Sequence, residues 1–217
     1  VDAQTAGPRP PTYSGFEAAQ LAEALEALST DQRDQALQSA LSRYFGGADL
    51  SKLQVDSPRG VGAKVTVSYE FLARRFARAD GPGRLISGSL TYPLMVGRRF
   101  LAVPSRVTPL FIESTEASSS RATLTLPPGW VLRSPLKEVS LSGPSGQYLR
   151  KEVQLGASVK VEEEYRLTQS RIAPREYEAF AQFAGEVDLV QQRDLLFEKT
   201  GETGELGETS ESADLRK

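Results

Sequence analysis

Apolar residues along the chain recur with two different periods, and the change of period divides the sequence. After Phe16, Leu21, Leu25 and Leu28 stand at helical spacing among alanines, which favour helix. Ser29-Thr30-Asp31-Gln32 then forms an S-x-x-Q capping box, in which serine and glutamine side chains each accept from the other residue's backbone N–H. It predicts a second helix, with Leu37, Leu41, Tyr44 and Phe45 on its apolar face and Gly46-Gly47 at its end.

From Leu50 the period falls to two. Val65, Val67, Tyr69 and Phe71 alternate with Lys64, Thr66, Ser68 and Glu70, which predicts a half-buried strand. The Asp80-Gly81-Pro82-Gly83 turn leads into a strand through Ile86 and Leu90 to Tyr92. Arg98–Val103 and Arg106–Ile112 read as the next two strands, with Pro104 and Pro109 confining them to edges or bends. Ser118-Ser119-Ser120 reads as a loop before a strand through Ala122, Leu124 and Leu126. Leu126-Pro127-Pro128-Gly129-Trp130 is a rigid corner, and Val139 and Leu141 mark a short strand. A hairpin runs from Gln147 to Leu155, turns at Gly156-Ala157-Ser158 and returns through Val159, Val161, Tyr165 and Leu167. Helical spacing returns behind Pro174 with Tyr177, Phe180, Ala184 and Val187, flanked by Phe183 and Val190. Leu195-Leu196-Phe197 reads as a last strand.

Runs of strands bracketed by helices define an α+β class: a mainly antiparallel β-sandwich or sheet with two N-terminal helices and one C-terminal helix. The expected organisation is a flexible linker or tail over 1–14, rich in proline (Pro8, Pro10, Pro11), and a helical segment over 15–49 that packs on the sheet. A β-rich domain with its C-terminal helix follows over 50–198. The acidic Gly/Glu tail over 199–217 is too polar to build a core and is expected to be disordered.

Composition then removes whole classes of chemistry. The 217 residues contain neither histidine nor cysteine. Proton transfer near neutrality loses its usual agent, and thiolate catalysis, Cys/His zinc sites, iron–sulfur clusters and disulfides are excluded. No catalytic residue, cofactor-binding residue or metal ligand is expected. No apolar run reaches the ~18 residues of a membrane span, and Val1-Asp2-Ala3-Gln4-Thr5 lacks the features of a signal peptide.

Among carboxylates, Glu162-Glu163-Glu164 is the suggestive run. Strand alternation puts Glu162 and Glu164 on one face and turns Glu163 toward the apolar set, where it sits near the hairpin's end or pairs with an arginine. Two carboxylates facing each other across a cleft are what a glycosidase would need, and the run does not supply them. Lysines occur in polar contexts with no S-x-x-K spacing that convinces, and no Walker A, G-x-S-x-G, G-x-G-x-x-G or calcium-loop motif is present. Trp130, after Pro-Pro-Gly, reads as a core plug at a corner rather than a sugar-stacking platform.

The net charge of −2 conceals an asymmetry: Arg59–Arg106 carries nine basic residues against two acidic ones, and is therefore +7. Arginine stems covering apolar surface explain much of this. Read functionally, Arg74, Arg75, Arg78, Arg98 and Arg99 are the candidate contacts for an anion or a partner. Aromatics near them (Tyr69, Phe71, Tyr92 and Phe100) alternate as a core face would and lack an RNA-binding motif, which disfavours nucleic acid.

The second half resembles a known arrangement. Arg106-Val107-Thr108-Pro109-Leu110, Leu126-Pro127-Pro128-Gly129-Trp130, Gly146-Gln147-Tyr148 and Ile172-Ala173-Pro174-Arg175-Glu176-Tyr177 occur in the order of an R-x-x-P-L strand, an L-P-x-G turn and an I-x-P-x-E-Y helix start. This order is similar to the C-terminal, non-catalytic β-rich region of bacterial multidomain transglutaminase-like proteins, over about residues 16–198. The helix before Phe45-Gly46-Gly47-Ala48 resembles the start of that region. The family's catalytic Cys, His and Asp lie in a core that no segment here matches, so no functional residue carries over. The resemblance implies a structural or protein-interaction module with protein partners, located in the periplasm or cell envelope. An envelope glycan- or anion-binding module using the Arg59–Arg106 stretch is the alternative.

Overall fold

The structure, a computed structural model, describes residues 3–6, 12–14, 22–44, 48–56, 65–73, 77–86, 90–91 and 93–200. Its centre is the hairpin of β11 (Gly146–Leu155) and β12 (Ser158–Leu167), closed by the two-residue turn Gly156-Ala157. Gly156 takes φ +58°, a left-handed conformation in which glycine avoids the Cβ clash. β10 (Glu138–Gly143) pairs outside β11, and β8 (Glu116–Thr125) pairs with β12 on the other side. Beyond β8 lie β2 (Thr12–Ser14) and β1 (Ala3–Ala6), then β4 (Val65–Ala73) and β3 (Ala48–Asp56), completing an eight-stranded antiparallel sheet. The α+β class with antiparallel sheets is therefore observed.

One face of this sheet buries its side chains under two neighbouring structures. The helix α4 (Tyr177–Gln191), entered through a 3₁₀ turn at Pro174–Glu176, lays Tyr177, Phe180, Phe183, Ala184 and Val187 on Tyr148, Tyr165 and Leu167. Beside it, a second sheet presents Ile86, Leu195 and Phe197 to Ala122, Leu124, Val159 and Val161. This smaller sheet is β5 (Arg78–Asp80), β6 (Gly83–Ile86), β14 (Leu195–Lys199) and β9 (Trp130–Leu132), in the order β5-β6-β14-β9. A third cluster joins Val65 and Val67 to Ala22, Leu37, Val55 and Tyr69. Ala22 is on a helix described over residues 22–26 (α1), and Leu37 is on α2 (Thr30–Tyr44).

The capping box forms at the start of α2. Ser29 N–H donates to Gln32 Oε1 at 2.9 Å and Gln32 N–H to Ser29 Oγ at 3.4 Å. Phe45, Gly46 and Gly47 lie outside the described residues, as do Tyr92 and residues 201–217 of the expected acidic tail.

Four expectations need correction. Arg98–Val103 is not a strand: Val96–Phe100 forms a short helix, α3, whose N–H groups are met by a carboxylate from α4. Of the strand expected over Arg106–Ile112, only Leu110–Phe111 (β7) is extended, paired with Arg171–Ile172 (β13). Ser118-Ser119-Ser120 is no loop but the middle of β8, with Ser118 opposite Tyr165 and Ser120 opposite Glu163. Small serines leave room there for the larger side chains across the ladder. Within the stretch expected as a linker, Ala3–Ala6 and Thr12–Ser14 are extended and hydrogen-bonded to β4 and β8, a departure from that reading. Backbone pairing with open strand neighbours outweighs a composition that is only locally unstructured.

Two glycines report on this packing in opposite senses. A Cβ on Gly146 would stand 2.6 Å from the Arg166 carbonyl oxygen and 3.1 Å from the Phe183 ring, whereas on Gly185 of α4 it would meet nothing within 4 Å. Gly185→Ala is expected to raise the unfolding free energy by about 0.5–1 kcal/mol through helix propensity. Gly146→Ala is expected to lower it by about 1–3 kcal/mol through overpacking. Urea unfolding of the two variants measures both.

Candidate functional site

Strand parity turns Tyr148, Arg150 and Glu152 of β11, and Val161, Glu163 and Tyr165 of β12, toward the covered face. Antiparallel register then sets Arg150 directly opposite Glu163. Both are sealed, at 1% and 3% side-chain exposure. Arg150 Nη1 donates to Glu163 Oε1 at 2.7 Å, and its Nε donates to Glu152 Oε1 at 3.0 Å. The second Glu163 oxygen accepts from the Thr91 hydroxyl at 2.5 Å and the Gln191 amide at 2.8 Å. Gln191 in turn accepts from the Leu94 N–H at 2.8 Å, while Glu152 also pairs with Arg193 and accepts from the Lys137 N–H at 3.2 Å. One charged cluster thus holds the hairpin, the end of α4, the segment around Thr91 and the approach to β10.

Burial penalises the Arg150 charge, but the Glu163 carboxylate, with Glu152, outweighs that penalty and holds its pKa above the ordinary arginine value. The Tyr148 hydroxyl, buried beside the cluster, is pushed far above the ordinary phenol range, first by burial and then by the Glu163 charge. Tyr148 therefore stays a neutral phenol. Two buried carboxylates bracketing one arginine suit structural neutralisation. They do not line a cleft that a substrate could enter, because Glu152 and Glu163 show 0% and 3% side-chain exposure.

A second polar contact explains α3. Asp188 of α4 accepts from the Gly97 N–H at 3.0 Å and the Arg98 N–H at 3.3 Å, supplying a cap that the local sequence lacks. Burial raises the Asp188 pKa against the lowering effect of these N–H bonds. Met95, just before α3, takes φ 52° as the chain turns into this cap.

The expected arginine contacts are not gathered into one site. Arg74 and Arg75 lie outside the described residues, and Arg78 is exposed on β5, an edge of the smaller sheet. Arg98 and Arg99 share α3, but Arg99 is spent on a bidentate pair with buried Glu116, with its guanidinium also 4.7 Å from the Phe100 ring centroid. Phe100 and Tyr69 pack against core clusters. Trp130 is half-buried against the Leu124–Phe197 cluster, with Arg84 5.7 Å from its ring centroid, as the plug reading implies. Glu163 does pair with an arginine, while Glu162 turns outward to Arg121 and Lys160. Arg150, Glu152 and Arg193 escaped the sequence reading. A mixed-polarity strand such as Gly146–Leu155 does not announce which parity faces inward.

The loop after α3 offers the opposite surface character. Arg106 stands 5.4 Å from the Tyr177 ring centroid, Tyr177 donates its hydroxyl to the Val103 carbonyl at 2.5 Å, and Leu110 is buried. Between these anchors Val107 is 96% exposed, and Phe111, next to Leu110 on β7, is 71% exposed. Among the described residues no helix is long and apolar enough to cross a membrane, and no group of three or more metal-binding side chains comes together.

Antiparallel sheet, covering helix and sealed ion cluster together describe a compact α+β module. Residues 90–197 match the family model DUF3858, a domain of unknown function with a solved structure, and this span contains the whole cluster from Thr91 to Arg193. Comparison with curated proteins gives no match. A solved structure from Parabacteroides distasonis, named as a "putative protease", is similar at 23% identity and a TM-score of 0.41, over 48% of this chain. The match spans 20% of the length of that structure.

Two measurements separate the roles of these contacts. Arg150→Met leaves two buried carboxylates without their shared cation and is expected to cost about 3–5 kcal/mol. Arg150→Met/Glu163→Gln should cost clearly less than the sum of the two single changes, a coupling that a double-mutant unfolding cycle reads directly. For Asp188, the folded pKa lies above the unfolded one, so its contribution is most favourable below about pH 4 and declines as pH rises through the folded value. Asp188→Asn is expected to keep the two N–H bonds and remove that decline, seen as a flatter stability–pH profile by urea unfolding.

Proposed function

We propose that this chain is a non-catalytic structural or protein-interaction module, an accessory domain of an exported transglutaminase-like protein acting in the periplasm or cell envelope. The carrying observation is the division of its side chains. The buried ionisable groups are committed to one another, whereas Val107, on a loop anchored at both ends, and Phe111, on β7 just after it, present apolar surface. Anchoring matters because an apolar loop held by Arg106, Leu110 and Tyr177 docks without a large ordering cost. That loop carries the R-x-x-P-L motif on which the family resemblance rests, so the motif both secures the loop and exposes its apolar residues.

A photo-crosslinker at position 107 in the native host tests this reading. It is expected to capture a defined protein or neighbouring domain, with capture lost in Phe111→Ser at an unchanged melting temperature. Adducts no stronger than those from exposed position 178 on α4 overturn it. Fusion of the full gene product to a reporter phosphatase active only outside the cytoplasm checks the location.

A further inference from the structure

On the face of the sheet opposite α4, strands β8, β12, β11 and β10 enclose a groove of about 680 Å³. Its lining falls in neighbouring triplets on each strand rather than on the helix, which identifies it as the outward face. Register builds the floor in two rows, Ser140–Leu149–Glu164–Ser119 and Ser142–Gln147–Arg166–Ala117. Glu164 and Arg166 stand two residues apart on β12 and are both exposed. Unlike Glu162 on the same face, which is clamped by Arg121 and Lys160, neither makes an ion pair or side-chain hydrogen bond among the described residues. The side chains of Ser119, Ser140, Ser142 and Gln147 are likewise unengaged.

We propose that this groove is a binding site for a neutral polyhydroxylated ligand of the oligosaccharide class. The donor and acceptor set selects that chemistry. A carboxylate only accepts, a guanidinium only donates, and the serine hydroxyls and glutamine amide do both. A ligand hydroxyl can donate to Glu164 while its neighbour accepts from Arg166. An anion meets Glu164, a cation meets Arg166, and an apolar ligand finds only Leu149 and the Ala117 methyl among the floor rows. A peptide lying on this face gains no backbone ladder, because the strand groups beneath are already paired across β8, β12, β11 and β10. The volume falls within the range of small-molecule sites. Because the floor offers no outward aromatic ring for a sugar to stack on, binding rests on hydrogen bonds and is weak.

The groove and the Val107–Phe111 loop use different surfaces, so this inference and the protein-interaction proposal fail independently. The full chain is titrated by amide-resolved NMR with cellotriose, maltotriose and triacetylchitotriose in turn. At least one is expected to shift the resonances of Ser119, Ser140, Gln147 and Arg166 saturably. Glu164→Gln/Arg166→Ala should weaken that binding about tenfold or more, which is about 1.4 kcal/mol, at an unchanged melting temperature. Ser142→Phe, which fills the groove from an exposed position, should also abolish it. Absence of saturable shifts with all three sugars, or equal affinity in the substituted chains, overturns the proposal.

Discussion

A guanidinium buried at the centre of a sheet cannot be left alone, and much of this fold follows from satisfying Arg150. Desolvating an arginine is tolerable only with charged partners of good geometry, and here two carboxylates supply them. Glu163 arrives from across the ladder and Glu152 from two residues along the same strand. Each carboxylate then needs further donors, which come from Thr91, Gln191 and Arg193. The end of α4 and the segment before α3 are therefore positioned by the needs of one side chain.

The same cluster specifies strand register more sharply than hydrophobicity does. A one-residue slip between β11 and β12 would turn the core face outward, which apolar patterning already forbids. A two-residue slip keeps every inward residue inward, so patterning alone tolerates it. That slip would place Arg150 opposite Val161 or Tyr165 instead of Glu163, stranding a buried charge on each strand. Electrostatics closes the gap that the hydrophobic pattern leaves open.

What was legible in the sequence was what is local. The capping box at Ser29–Gln32, the β11–β12 hairpin and the stripe of Tyr177, Phe180, Ala184 and Val187 each carry their cause within a few residues. Parity alone turned Glu163 inward, ahead of any knowledge of its partner. The failures share the opposite property. Residues 98–103, a short apolar run behind two arginines, read as a strand, but Asp188, some ninety positions away, caps Val96–Phe100 into a helix. The serine triplet looks like a loop until Tyr165 and Glu163 occupy the space that its small side chains leave. Arg150 was hidden because both parities of its strand mix polar and apolar residues. The candidate arginines were chosen by charge density, a property that says nothing about which of them meet.

The three consecutive glutamates show how one strand can serve two faces without conflict. Glu163 is held by Arg150, Thr91 and Gln191, while its neighbours Glu162 and Glu164 point the other way. Of these two, Glu162 is neutralised by Arg121 and Lys160, with the Lys160 hydrogen bond foremost in holding its pKa below the ordinary glutamate value. Glu164 and Arg166 beside it make no ion pair among the described residues. Because the inward member of the triplet fixes β12 against β8 and β11, the outward members inherit a rigid spacing that they need not stabilise themselves. A charge on a rigid strand that contributes nothing to holding it is free to meet a ligand. The buried cluster thus gives the outer face its definition, since the spacing of Glu164 and Arg166 follows from the register that Arg150 and Glu163 hold.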